Sequence, residues 1–176
     1  MIKRIVIIVG LVILIFAFGF WAENKIKEIN FEKIKQEIVL PTPGIKEKVK
    51  VSRVIDGDTI ELSDKRKVRY IGINSPEMTD KRLEVKCLAQ KAKEADQKLV
   101  ENKEIELEKD VSETDKYGRL LRYVWIDGKM INEELMKSGW TEVDTYPPDI
   151  KYQELFVNEE KEARLNKLGI WGDICQ

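Results

Sequence analysis

Between Lys46 and Ile73 the chain runs through three short alternating stretches separated by tight turns, and this spacing leaves few folds open. Val49, Val51 and Val54-Ile55 lead into Asp56-Gly57, a hairpin signal; Thr59-Ile60-Glu61-Leu62 follows; Ser63-Asp64-Lys65 turns again; Lys67 to Ile73 is the third stretch. Ser75-Pro76 ends it, because the residue before proline is held extended. Cys87 to Asn102 carries Leu88, Ala92, Ala95 and Leu99 at helical spacing. Glu104 to Glu108 and Leu120 to Ile126 alternate as a fourth and fifth strand, the latter closed by Asp127-Gly128. Two helices follow, Asn132 to Ser138, stopped by Gly139, and Asp149 to Leu168, ending before Gly169. Three strands, a helix, two strands and two helices predict an α+β domain, a five-stranded Greek-key OB-fold barrel with three helices packed outside.

The N-terminus has a different character. A basic lead, Lys3-Arg4, precedes Ile5 to Ala22, which holds no charge and no proline and is long enough to cross a bilayer as a helix. Residues 1–22 are expected to be a signal-anchor with its basic end in the cytoplasm. A cleaved signal peptide is the alternative, although Ala17-Phe18-Gly19 is a poor cleavage site followed by bulky Phe20 and Trp21. Residues 23–44 read as a Lys/Glu-rich juxtamembrane stalk broken by Pro41-Thr42-Pro43-Gly44, and residues 45–176 as the folded domain. Either fate of the leader exports that domain, as a membrane-anchored or secreted extracytoplasmic protein, expected to be a monomer.

Composition narrows the chemistry. There is no histidine in the 176 residues, which removes Ser-His-Asp and Cys-His catalysis, HEXXH zinc sites and the imidazole base. Acid–base work falls to carboxylates, Lys, Tyr and water. The net charge of −1 is not that of a protein that coats nucleic acid by bulk counterion release, so any such contact must be local.

Three segments carry functional residue types. Asp56-Gly57-Asp58-Thr59 makes an oxygen-rich turn suited to a hard cation, though an EF-hand is excluded because Lys67 falls where the bidentate glutamate is required. Arg69 interrupts an otherwise apolar strand and needs an anion, either a protein carboxylate or a bound phosphate. Glu77 follows the rigid Pro76, and Asp115-Lys116-Tyr117-Gly118-Arg119 forms a turn in which Gly118 lets the chain aim Arg119 back over the barrel mouth.

In type and order these segments resemble the staphylococcal (thermonuclease-type) nuclease family, over about Val49 to Trp171. The resemblance implies a Ca²⁺-dependent endonuclease that hydrolyses single-stranded DNA and RNA and leaves 3′-phosphates. It implies metal ligation by Asp58, Asn74 and the Ser75 carbonyl, Glu77 as general base, Arg69 and Arg119 as phosphate clamps, and nucleotide contacts from Lys116 and Tyr117. Tyr146, beside Pro147-Pro148, lies near the family's base-stacking tyrosines. Asn74 departs from the pattern, which has aspartate there, and predicts looser Ca²⁺ binding. Arg122 stands where the family has a small residue and bears on cleft shape. Cys87 and Cys175, a pair in an exported domain, are candidates for a disulfide. Two other readings fit the same segments: a catalytically weak or inactive single-strand-binding OB module tethered to the membrane, and a docking domain that leaves the cleft unused.

Overall fold

The computed structural model describes residues 47–175; the predicted leader, stalk and linker lie outside them. Among the described residues, no helix is long and apolar enough to cross a membrane. The strands are β1 (Glu47–Asp56), β2 (Thr59–Leu62), β3 (Lys67–Tyr70), β4 (Gly72–Asn74), β5 (Glu104–Glu108), β6 (Leu120–Ile126), β7 (Lys129–Met130) and β8 (Glu142–Asp144). The helices are α1 (Leu83–Val100), α2 (Ile131–Lys137) and α3 (Gln153–Leu165), followed by a 3₁₀ turn at Gly169–Trp171.

Five strands in the order β3-β2-β1-β5-β6 form a sheet that closes on itself where β3 pairs with β6 in parallel. The barrel and three helices predicted from element order are therefore present. Closure needs β1 to serve both halves of the sheet. The strand bends at two register shifts, between Val51 and Arg53 and between Val54 and Asp56, as bulges permit. Val51, Ile60, Leu62, Val68, Tyr70, Ile105, Leu107 and Val124 fill the interior, each such side chain contributing about 1.5–3 kcal/mol on burial.

The third stretch differs from the expected single strand. Gly72 takes φ +82°, and β4 leaves the barrel to pair with β8, a strand absent from the sequence reading. A side chain at Gly72 would meet Phe156 of α3 at 2.5 Å, so the break is held by close packing. The carbonyls it frees are met by side chains: Tyr70 O and Ile73 O accept from Arg69, and Ile71 O accepts from the buried Asn132. Cys87 in α1 is joined to Cys175 by a disulfide, with Cα atoms 5.8 Å apart.

Candidate active site

The β1–β2 turn puts Asp58 at the barrel mouth, 5% exposed. Its Oδ1 accepts from the Thr59 hydroxyl at 2.9 Å and lies 3.3 Å from Arg69 Nε, and its Oδ2 accepts from the Ser75 amide at 2.6 Å. Thr59 and Ser75 thus each use one acceptor position, one on either carboxylate oxygen. Gly57 allows the approach, since a Cβ there would lie 2.8 Å from that of Ser75. Asp56 is beside it, and burial followed by repulsion from Asp58 pushes its carboxyl up to about 6.

Arg69 lies across the same corner, half-buried. Its Nη1 donates to Tyr70 O and Ile73 O at 2.9 and 2.6 Å, and its Nη2 donates to Asn74 Oδ1 at 3.0 Å. The protein-carboxylate reading of Arg69 thus holds for Asp58, and a second carboxylate, Asp144, stands 3.7 Å from Nη2. Asp144 was not foreseen. The only sequence signal for it is Glu142-Val143-Asp144, an alternation too short to separate from a loop.

Arg119 is placed by its own loop. Gly118 adopts φ +78°, and Asp115 Oδ1 accepts the amides of Tyr117 and Arg119 at 2.9 and 3.0 Å while Oδ2 takes Arg119 Nε at 2.6 Å. Arg119 Nη1 also reaches the Thr59 hydroxyl at 3.4 Å, which ties this loop to the β1–β2 turn. Asp149 fastens the other wall, accepting the Val111 and Ser112 amides at 2.9 and 2.8 Å.

Arg69, Lys116, Tyr117, Arg119 and Tyr146 line one cleft of about 490 Å³, together with Asp115, Asp144 and Leu121. Tyr117 and Tyr146 are 73% and 70% exposed, leaving their rings open to a stacking partner. Arg122 does not line it. Its side chain is buried on the far side of β6, paired with Glu113 and donating to Glu113 O at 3.1 Å, so it leaves the cleft's shape alone. Asn74, Ser75 and Glu77 line an adjoining hollow of about 320 Å³ instead, with Glu77 exposed on the segment leaving β4.

Among the described residues no three His, Cys, Asp or Glu side chains are gathered tightly enough to hold an ion by themselves. The side-chain acceptors around Arg69 at the corner are nevertheless hard oxygens, the Asp58 carboxylate and Asn74 Oδ1, and Ser75 is joined to Asp58 through its amide. That set fits a hard cation with one full ligand charge.

A closed five-stranded barrel with guanidinium groups beside an oxygen-donor corner defines the class, an OB-fold domain with a functional mouth. A sequence model of the family described as Staphylococcal nuclease homologue matches residues 67–173. The thermonuclease of Staphylococcus hyicus is 38% identical over 127 residues, covering 70% of this chain and 75% of that protein. For the thermonuclease of Staphylococcus intermedius the identity is 40% over 125 residues, with 69% and 74% covered. Endonuclease YncB of Bacillus subtilis is 39% identical over 128 residues, with 70% and 61% covered. The chain belongs to the staphylococcal nuclease family.

Proposed function

We propose that the domain is a Ca²⁺-dependent endonuclease acting on single-stranded DNA and RNA and leaving 3′-phosphate ends. The reaction class is phosphodiester hydrolysis, that of the thermonucleases and endonucleases to which the chain is similar. The observation that carries this reading is the convergence of Arg69 and Arg119 on one cleft, with the Asp58 corner behind Arg69.

Ca²⁺ held by Asp58, Asn74 Oδ1 and the Ser75 carbonyl would supply positive charge close to the substrate phosphate. Glu77 takes a proton from the attacking water, the new P–O bond forms, and the bond to the 5′ oxygen breaks, that oxygen leaving as a hydroxyl with a proton from solvent. Arg119, held at Nε by Asp115, keeps N–H groups for the charge that builds on the phosphate and leaving oxygens. Arg69 presents a fixed guanidinium on the opposite side, Lys116 adds charge for the neighbouring phosphate, and Tyr117 and Tyr146 stack on bases without selecting among them. The leader tethers or exports this monomeric domain, so its substrate is extracytoplasmic nucleic acid.

A gel assay on a single-stranded oligonucleotide tests the reading. Cutting is expected with Ca²⁺, not with EDTA, and Glu77→Gln should be slower by about 10²–10⁴. Retention of the oligonucleotide without cutting by the wild type would make the domain a binding module, and no retention at all a docking domain.

A further inference from the structure

The two arginines share a cleft but differ in what they have left to give. A guanidinium carries five N–H groups. Arg69 commits three by hydrogen bonds to Tyr70 O, Ile73 O and Asn74 Oδ1, and its Nε is ion-paired with Asp58 Oδ1 at 3.3 Å. Its remaining one is on Nη2, and there Asp144 Oδ2 stands 3.7 Å away. Arg119 donates at Nε to Asp115 and, at 3.4 Å, from Nη1 to Thr59, and its guanidinium lies 5.6 Å from the Tyr117 ring centre.

Asp144 is fixed by the fold. It sits on β8 in register with Gly72, and both residues line the cleft. Its carboxylate raises the Tyr146 phenol above the ordinary range. Its side chain is one-third exposed, so the charge faces whatever enters. No step of the proposed hydrolysis uses this carboxylate, and it has the same sign as a phosphodiester.

We propose that Asp144 is a built-in competitor of the substrate phosphate: its charge stands beside the Arg69 nitrogen that keeps a free N–H, and a phosphate oxygen gripped from both sides must enter against that charge. Its charge weakens binding of the polynucleotide and of the phosphate-ended product alike, which favours release after cutting. The inference rests on the nuclease reading for its ligand.

The test compares wild type with Asp144→Asn, Asp144→Glu and Asp144→Ser. Two quantities are measured on one single-stranded oligodeoxynucleotide: KM for cleavage in Ca²⁺, and Kd by fluorescence anisotropy in EDTA, where nothing is cut. Asp144→Asn and Asp144→Ser should lower both by roughly three- to tenfold at low ionic strength, with Asp144→Glu close to wild type. The wild-type-to-variant ratio should shrink toward one between about 20 and 300 mM salt, because only a charge effect is screened. A Kd unchanged or raised in both neutral variants overturns the competitor role, since Asp144 would then be neutral to the substrate or contact its hydrogen-bond donors. Wild type that binds but does not cut defeats the nuclease reading while the Kd comparison still decides on Asp144. Wild type that binds no oligonucleotide overturns both.

Discussion

Removing the Cys87–Cys175 bridge gives the largest stability change that can be worked directly from the topology. The two residues are 88 apart in sequence, so the bridge closes most of the folded domain into one loop of the unfolded chain. On the loop-entropy account, a ring of that size restricts the denatured ensemble by roughly 4.5 kcal/mol. Unfolding entropy near 2.1 cal/mol/K per residue, over roughly 130 residues, converts this to a fall in Tm of about 15 °C. The assay is calorimetry of Cys87→Ala/Cys175→Ala against wild type, with wild type plus reductant as a third arm. The effect belongs mainly to the unfolded state, so activity at 25 °C should be nearly unchanged, because neither cysteine lines the arginine cleft. A drop below about 5 °C, with full reduction verified by thiol titration, would refute the reasoning. It would mean that the unfolded chain is already compact enough to gain little from the tether.

Asn74→Asp adds a charged ligand at the cation corner and should tighten Ca²⁺ by about tenfold in titration calorimetry; unchanged affinity would remove Asn74 from the ligand set. Gly72→Ala forces a side chain into φ +82° and to 2.5 Å from Phe156, and should cost roughly 3 kcal/mol in denaturant unfolding; a loss below 1 kcal/mol would show that α3 yields easily. Asp96 is wholly buried on α1 with the Tyr70 hydroxyl as its partner, and burial, helped by Asp58, Asp56 and Glu101, raises its carboxyl well above the ordinary value of 3.8. The folded protein therefore holds this proton more tightly than the unfolded chain. Its stabilising share is full below about 4 and is lost as pH rises through the folded pKa. Asp96→Asn lacks that loss, so its Tm advantage over wild type should widen from pH 4.5 to pH 8, and a constant difference would refute the assignment.

The parts of the fold legible in the sequence are those with strong local periodicity. Glu104–Glu108 and Leu120–Ile126 appear with the predicted bounds, because each alternates between turn residues. The β3–β4 break was not legible, since Val68 to Ile73 reads as one apolar run and the reason to leave the barrel lies in Phe156, far along the chain. Helix ends failed where tertiary contacts override local signals. The last helix starts at Gln153 rather than Asp149, whose side chain is engaged by the Val111 and Ser112 amides, and stops at Leu165 before Lys167 turns left-handed at φ +51°. At the site, Arg69, Lys116, Tyr117 and Arg119 stand in short motifs visible in the sequence and line one cleft. Asp144 could not be named from sequence, because it comes to Arg69 only through the pairing of β4 with β8.

Arg69 satisfies two carbonyls that the strand break strips of ladder partners, so it belongs to the framework as well as to the cleft. The Arg119 side chain donates to no carbonyl among the described residues; its hydrogen bonds are to the Asp115 and Thr59 side chains. Arg69→Lys keeps the charge but cannot span Tyr70 O, Ile73 O and Asn74 at once, and should lose roughly 1–3 kcal/mol of stability for the groups left unmet. Arg119→Lys should change stability by less than about 0.5 kcal/mol while cleavage falls by about 10²–10³. Paired urea melts and initial rates check both numbers. Equal stability losses in the two variants would show that the break is held without Arg69, and that its guanidinium is as free as that of Arg119.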